Sequence, residues 1–131
     1  MPIIVGYVPT PEGHAALDRA IEEAVLRHQR LVVVNSSRGE SLVDKRFASD
    51  ADWQSVEQRL TASGVDHELT QLVESKDAAD QILRLANDLN ADLIVIGLRR
   101  RTPVGKLILG SQAQSILLEA ECPVLTVKSH S

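Results

Sequence analysis

Residues 97–111 gather the side chains of this chain best suited to anion chemistry: Gly97, the run Arg99-Arg100-Arg101, Lys106 and the pair Gly110-Ser111. Guanidinium groups grip phosphate oxygens through forked hydrogen bonds. A Gly-Ser pair opening a helix offers free amides, a hydroxyl and the positive end of the helix dipole. Each residue also has a plainer use. Gly97 could let backbone approach a ligand or serve a tight turn after a strand, Ser111 could meet an anion or cap its own helix, and exposed arginines often form a solvated surface. Residues 93–118 carry four basic residues and no acid in a chain of net charge −4, so positive potential is concentrated at this loop.

Catalytic constellations are thin. A Walker A loop would need glycine at Arg100 and Ser or Thr at Leu107, and no G-x-G-x-x-G follows the first apolar run. His14, His28, His67 and His130 lack metal-ligand spacing and read as surface residues. Cys122, just before Pro123 and an apolar run, reads as a small buried hydrophobe, and Asp18 with Glu22 as a solvated helix face. An ATPase or phosphotransferase would need a metal carboxylate and a positioned nucleophile near the arginines. The sequence offers neither, and the expectation is a protein that is not an enzyme.

Composition sets further bounds. A chain of 131 residues suits one domain, 1–131, with a real core, and with Tyr7, Phe47 and Trp53 as the only aromatics that core is aliphatic. The negative charge excludes generic binding to nucleic acid. No apolar run approaches the roughly 20 residues of a membrane helix, the start of the chain has no signal-like pattern, and lone Cys122 cannot form an internal disulfide. The expected location is cytoplasmic, with no membrane partner.

The elements that must position the loop follow from periodicity. Ile3–Val8, Leu31–Val34, Val65–Val73, Leu93–Ile96 and Pro123–Val127 read as strands, the first two as buried runs and the third as less buried. Between them lie four helical patterns. The first runs from about Pro11 to Gln29, capped by Thr10, with Leu17, Ala20, Ile21, Ala24 and His28 on one face; the second carries Trp53, Val56, Glu57 and Leu60 and stops at Ser63-Gly64. The third repeats Ala79, Ile82, Leu83, Ala86 and Leu89 and ends at Asn90. The fourth starts at Ser111 in an S-x-x-Q capping box with Gln114, with Ala113, Ile116, Leu117 and Ala120 inward. Asn35-Ser36-Ser37-Arg38-Gly39 reads as a turn, followed by a looser segment to about Ser49. Strictly alternating strands and helices imply an α/β fold, a single doubly wound five-stranded parallel sheet with helices on both faces. Ligands of such folds bind beyond the carboxyl ends of the strands, where Val8, Asn35 and Gly97 would emerge.

These residues resemble the universal stress protein family, whose signature is G-x2-G-x9-G-[ST]. Gly97 matches the first glycine and Gly110-Ser111 the closing pair, and the flanking blocks Asp92–Gly97, Leu107–Ser111 and Cys122–Val127 are similar too. The resemblance covers essentially the whole chain. It implies a Rossmann-like, adenine nucleotide alpha hydrolase-like fold, a stress-response role, and a homodimer formed through the C-terminal strand. It also implies ATP or a related adenine nucleotide as ligand, with Val8, Asn35, Gly97, Arg99, Arg100, Gly110, Ser111 and Gln112 as nucleotide-binding positions. The chain departs from the pattern twice: Arg100 replaces the second glycine, and Val8 stands where nucleotide-binding members place an acid at the end of strand one. Two alternatives follow: a nucleotide-responsive module, or a family member without nucleotide that works through protein–protein contacts.

Overall fold

The first strand pairs on both sides, which puts the first apolar run of the sequence at the middle of the sheet. The computed structural model describes residues 1–36, 50–72, 77–98 and 110–129. In chain order these form β1 (Ile3–Gly6), α1 (Pro11–Arg27), β2 (Leu31–Ser36), α2 (Asp50–Ser63), β3 (His67–Leu72), α3 (Ala78–Leu89), β4 (Leu93–Leu98), α4 (Ser111–Glu119) and β5 (Val124–Lys128). The strands make one five-stranded sheet in the order β3-β2-β1-β4-β5, and every pairing is parallel. A parallel sheet must be covered on both sides, and it is. On one face Ile3, Val5, Leu31, Val33, Leu93 and Val95 pack against Leu17, Ala20 and Ala24 of α1 and Val56 and Leu60 of α2. On the other, Ile4, Val32, Val34, Ile94 and Ile96 pack against Ala79, Ile82 and Ala86 of α3 and Ile116 of α4.

Helix ends follow local chemistry. Thr10 Oγ1 accepts from Gly13 N at 3.1 Å with Pro11 in the first turn, and Asp77 Oδ1 accepts from Ala79 N at 3.0 Å. Asn90 ends α3 in the left-handed conformation (φ 56°), and Gly64 (φ 78°) follows α2 as a glycine stop.

Several boundaries differ from those read in the sequence. β1 is assigned only to Gly6, although Tyr7 N still donates to Val34 O. β2 extends through Asn35 and Ser36, the residues read as a turn, because they pair with Gln71 and Leu72; β3 is the shorter His67–Leu72. β4 extends two residues past Ile96 because Gly97 and Leu98 pair with Val127 and Lys128. α1 stops at Arg27, and His28 is its left-handed cap (φ 54°), exposed instead of on the inner face. Glu57 is exposed on α2. α4 corrects the capping-box reading: Gly110 is the cap, Gln114 N donates to Gly110 O, and Ser111 is already helical. A box needs its serine one position earlier, outside the helix. Leu117 is 38% exposed, a turn of about 100° away from buried Ile116. Asp18 and Glu22 are ion-paired, Asp18 with Arg59 of α2 and Glu22 with Arg19. The segment read as loose over 40–49 lies outside the described residues.

Candidate functional site

The strand order reverses between β1 and β4: α1 leaves β1 over one face, and α3 enters β4 over the other. That crevice at the carboxyl ends is where a doubly wound sheet offers a ligand site. Three chain segments reach it: Tyr7 and Val8 beyond β1, Asn35 near the end of β2, and Gly97 and Leu98 at the end of β4.

Val8 is half-buried and its carbonyl accepts from Thr10 N at 2.8 Å, which turns the chain into α1. Gly13, in the first turn of α1, sits so close that a Cβ there would lie 2.9 Å from Val8 N and closer still to Val8 O. Gly97 faces the same helix end. A Cβ on Gly97 would lie 2.8 Å from Glu12 C and closer to Glu12 O. Gly97 is therefore a strand residue whose missing side chain admits the backbone of α1, and not the tight turn after a strand considered from sequence. The two glycines together seat the start of α1 on β1 and β4.

Asn35 is fully buried and is the one buried polar residue among those described. Its Nδ2 donates to Tyr7 O at 2.8 Å, and Gln71 Nε2 donates to Asn35 O and Oδ1, each at 3.0 Å. Gln71 Oε1 in turn accepts from the Trp53 indole at 2.8 Å. The Tyr7 ring makes a tilted contact with Trp53 (centroids 6.1 Å apart) and a T-shaped one with His14 (5.4 Å), and His14 Nδ1 is 3.3 Å from Arg59 Nη1. Since arginine only donates, His14 Nδ1 accepts, and this histidine is a partner in the α1–α2 contact instead of a plain surface residue.

On the α3/α4 face, Gly110 caps α4 in extended backbone (φ −68°, ψ 162°) with no side-chain hydrogen bond to the helix, and a Cβ there would meet no described atom within 4 Å. Ser111 is the first helical residue. Gln112 reaches sideways: its Oε1 accepts from Ala79 N at 2.7 Å, beside Asp77 Oδ1 on the same donor. The structure thus brings Val8, Asn35 and Gly97 to one crevice and joins the first turns of α3 and α4 through Gln112, while Arg99, Arg100, Arg101 and Lys106 lie outside the described residues.

Sequence reasoning missed Gln71, Trp53, Asp77 and the pairing of Gly13 with Gly97. Gly13 carried a signal, because a glycine inside a helical pattern costs about 1 kcal/mol against alanine and usually marks close packing. Gln71 carried none, since it reads as an ordinary edge-strand polar residue. Cys122 packs against the α3/α4 core but is only partly buried, short of the buried hydrophobe expected; that burial raises its thiol pKa, a backbone hydrogen bond opposes it, and the charge of Asp92 adds a smaller upward push. Among the described residues no helix is long and apolar enough to cross a membrane, and no cluster of three His, Cys, Asp or Glu could hold a metal.

The comparison with known proteins decides the family, since residues 1–128 match the model of the universal stress protein family. This chain belongs to it. A universal stress protein of Mycolicibacterium smegmatis is 47% identical over 128 residues, covering 98% of each chain. A solved universal stress protein from Archaeoglobus fulgidus is 34% identical with a TM-score of 0.73, covering 98% of each chain. The structure of a universal stress protein from Archaeoglobus fulgidus in complex with dAMP is 30% identical with a TM-score of 0.68 at the same coverage. A universal stress protein sheet is thus what the β3-β2-β1-β4-β5 order builds here.

Proposed function

We propose that this universal stress protein binds an adenine nucleotide, ATP or a close relative, at the carboxyl ends of β1, β2 and β4, and acts by binding instead of catalysis. The observation that carries the reading is the open start of α4: α1 and α3 have side-chain caps, whereas Gly110 leaves the first amides of α4 without one. Such amides and the helix dipole suit a phosphate. The related protein solved with dAMP supports adenine as the base. Arg99 and Arg100 follow β4 in sequence and would add charge at the same end. The absence of acids over residues 93–118 supports binding without a metal carboxylate from that stretch.

In this reading the molecule is a cytoplasmic homodimer. β5 is an edge strand of apolar sequence (VLTVK) next to α4, where Leu118 is 76% exposed, and such an edge favours pairing with a second copy. A reading as an interaction module without nucleotide is favoured by the apolar Val8 just beyond β1 and by Arg100 in place of the signature's second glycine. Titration calorimetry with dAMP and ATP, on protein whose mass is measured by sedimentation, tests these statements together. The expected result is a dimer with saturable binding of one nucleotide per chain. A dimer that gives no heat and no chemical-shift change at Gly110–Gln112 selects the interaction module.

A further inference from the structure

Asn35 is costly where it stands. It continues the strand Leu31-Val32-Val33-Val34, and it is fully buried in a core otherwise made of aliphatic side chains and Tyr7. A buried amide is tolerated only when hydrogen-bonded, and a fifth aliphatic residue would be cheaper. Its bonds have one fixed direction. The Trp53 indole can only donate, so Gln71 must turn its oxygen to Trp53 and its NH2 to Asn35. Asn35 must then turn its oxygen to Gln71, which leaves Nδ2 to hold Tyr7 O. The bonds thus run in one direction from an N–H on α2 to the carbonyl immediately before Val8, and the carbonyls of Asn35 and Tyr7, which only accept, demand the same orientation.

We propose that Trp53, Gln71 and Asn35 form a positioning relay that holds the Tyr7–Val8 exit of β1 in its nucleotide-binding geometry and transmits occupancy of that site to α2. The inference rests on the nucleotide reading above. Its reach is specific: Trp53 packs on the α1/α2 face, whereas the helix start assigned to phosphate belongs to α4 on the other face. A purely structural relay would set stability alone. A positioning relay also changes affinity, and its indole senses the ligand through Gln71.

The test is a dAMP titration followed by calorimetry and by the indole N–H resonance of Trp53. In the unaltered protein the resonance shifts on saturation. In Gln71→Leu the shift disappears and affinity falls about fivefold, the effect of losing one hydrogen bond's worth of positioning. Because Gln71→Leu strands polar atoms and could fail to fold, Trp53→Phe is the second variant. It keeps a six-membered aromatic ring against the core, removes the indole N–H, and is expected to lower dAMP affinity to a similar degree while the protein stays folded. Unchanged affinity in both variants overturns the relay while leaving nucleotide binding intact. So does an indole shift that survives in Gln71→Leu, which would mean direct contact with the ligand. No dAMP binding by the unaltered protein overturns the nucleotide reading and the relay with it.

Discussion

Gly97 and Gly110 belong to one sequence signature, and the structure gives them opposite surroundings. Gly97 lies in β4 against the backbone of Glu12, with no room for a methyl group; Gly110 is exposed at the start of α4, with nothing described within 4 Å of a Cβ. One glycine is required by packing of the protein on itself. The other is not, and it gives the amides of α4 no side-chain cap of its own. Within one motif the two glycines thus have different structural jobs: Gly97 is a joint that seats α1 at the switch point, and Gly110 starts α4 without a side-chain cap.

The largest expected effect breaks this contrast directly. Gly97→Ala pushes a methyl into the main chain of α1, which cannot yield as a flexible side chain could, and is expected to cost about 3 kcal/mol. Gly110→Ala, whose φ of −68° any residue adopts, is expected to cost less than about 1 kcal/mol. Denaturant unfolding of both variants measures the difference. Equal losses would mean that the joint at Glu12 relaxes freely and that the two glycines are not different in kind.

A second substitution sharpens the role of the open end. Gly110→Asp supplies the side-chain cap that α4 lacks, so it is expected to raise stability by about 1 kcal/mol through the amides and the dipole. The same carboxylate occupies the amides that a phosphate would use and repels it, so dAMP affinity is expected to fall about tenfold, or about 1.4 kcal/mol. Higher stability with unaltered affinity would remove the phosphate from α4 and return Gly110 to a neutral role.

How much of this was legible in the sequence depends on whether the cause is local. β-Branched runs such as Leu31–Val34 announce buried strands, and the spacing of Ala79, Ile82 and Ala86 announces α3, because those patterns arise from the period of a single element. Asn90 and Gly64 announce helix ends for the same reason. The partners of Asn35 were not legible, since Tyr7, Gln71 and Trp53 converge only once four elements are assembled. Gly97 misled for a related reason. Its partner, Glu12, is distant in sequence, so the residue reads as a bend after a strand when it is a contact within one. Topology alone implied that Val8, Asn35 and Gly97 would come out at the carboxyl ends of the strands, and they do, while the direction in which Gln112 reaches could come only from packing α3 beside α4.

The smallest effect asks whether the open end is held still. Gln112 Oε1 shares the Ala79 N–H with Asp77 Oδ1, so either acceptor alone can satisfy that donor. Gln112→Leu should therefore cost only about 0.5 kcal/mol, and Asp77→Ala somewhat more because it also removes an acid from the start of α3. Removing both leaves the donor without an acceptor, so the double variant is expected to lose about 1 kcal/mol more than the sum. A double-mutant cycle in denaturant reads that coupling. Additivity within about 0.3 kcal/mol would mean that Gln112 does not tie α4 to α3 in solution. The first turn of α4 would then be a loose end, unlike the Gly97 joint in rigidity as well as in openness, and a phosphate bound there would have to order the helix start that receives it.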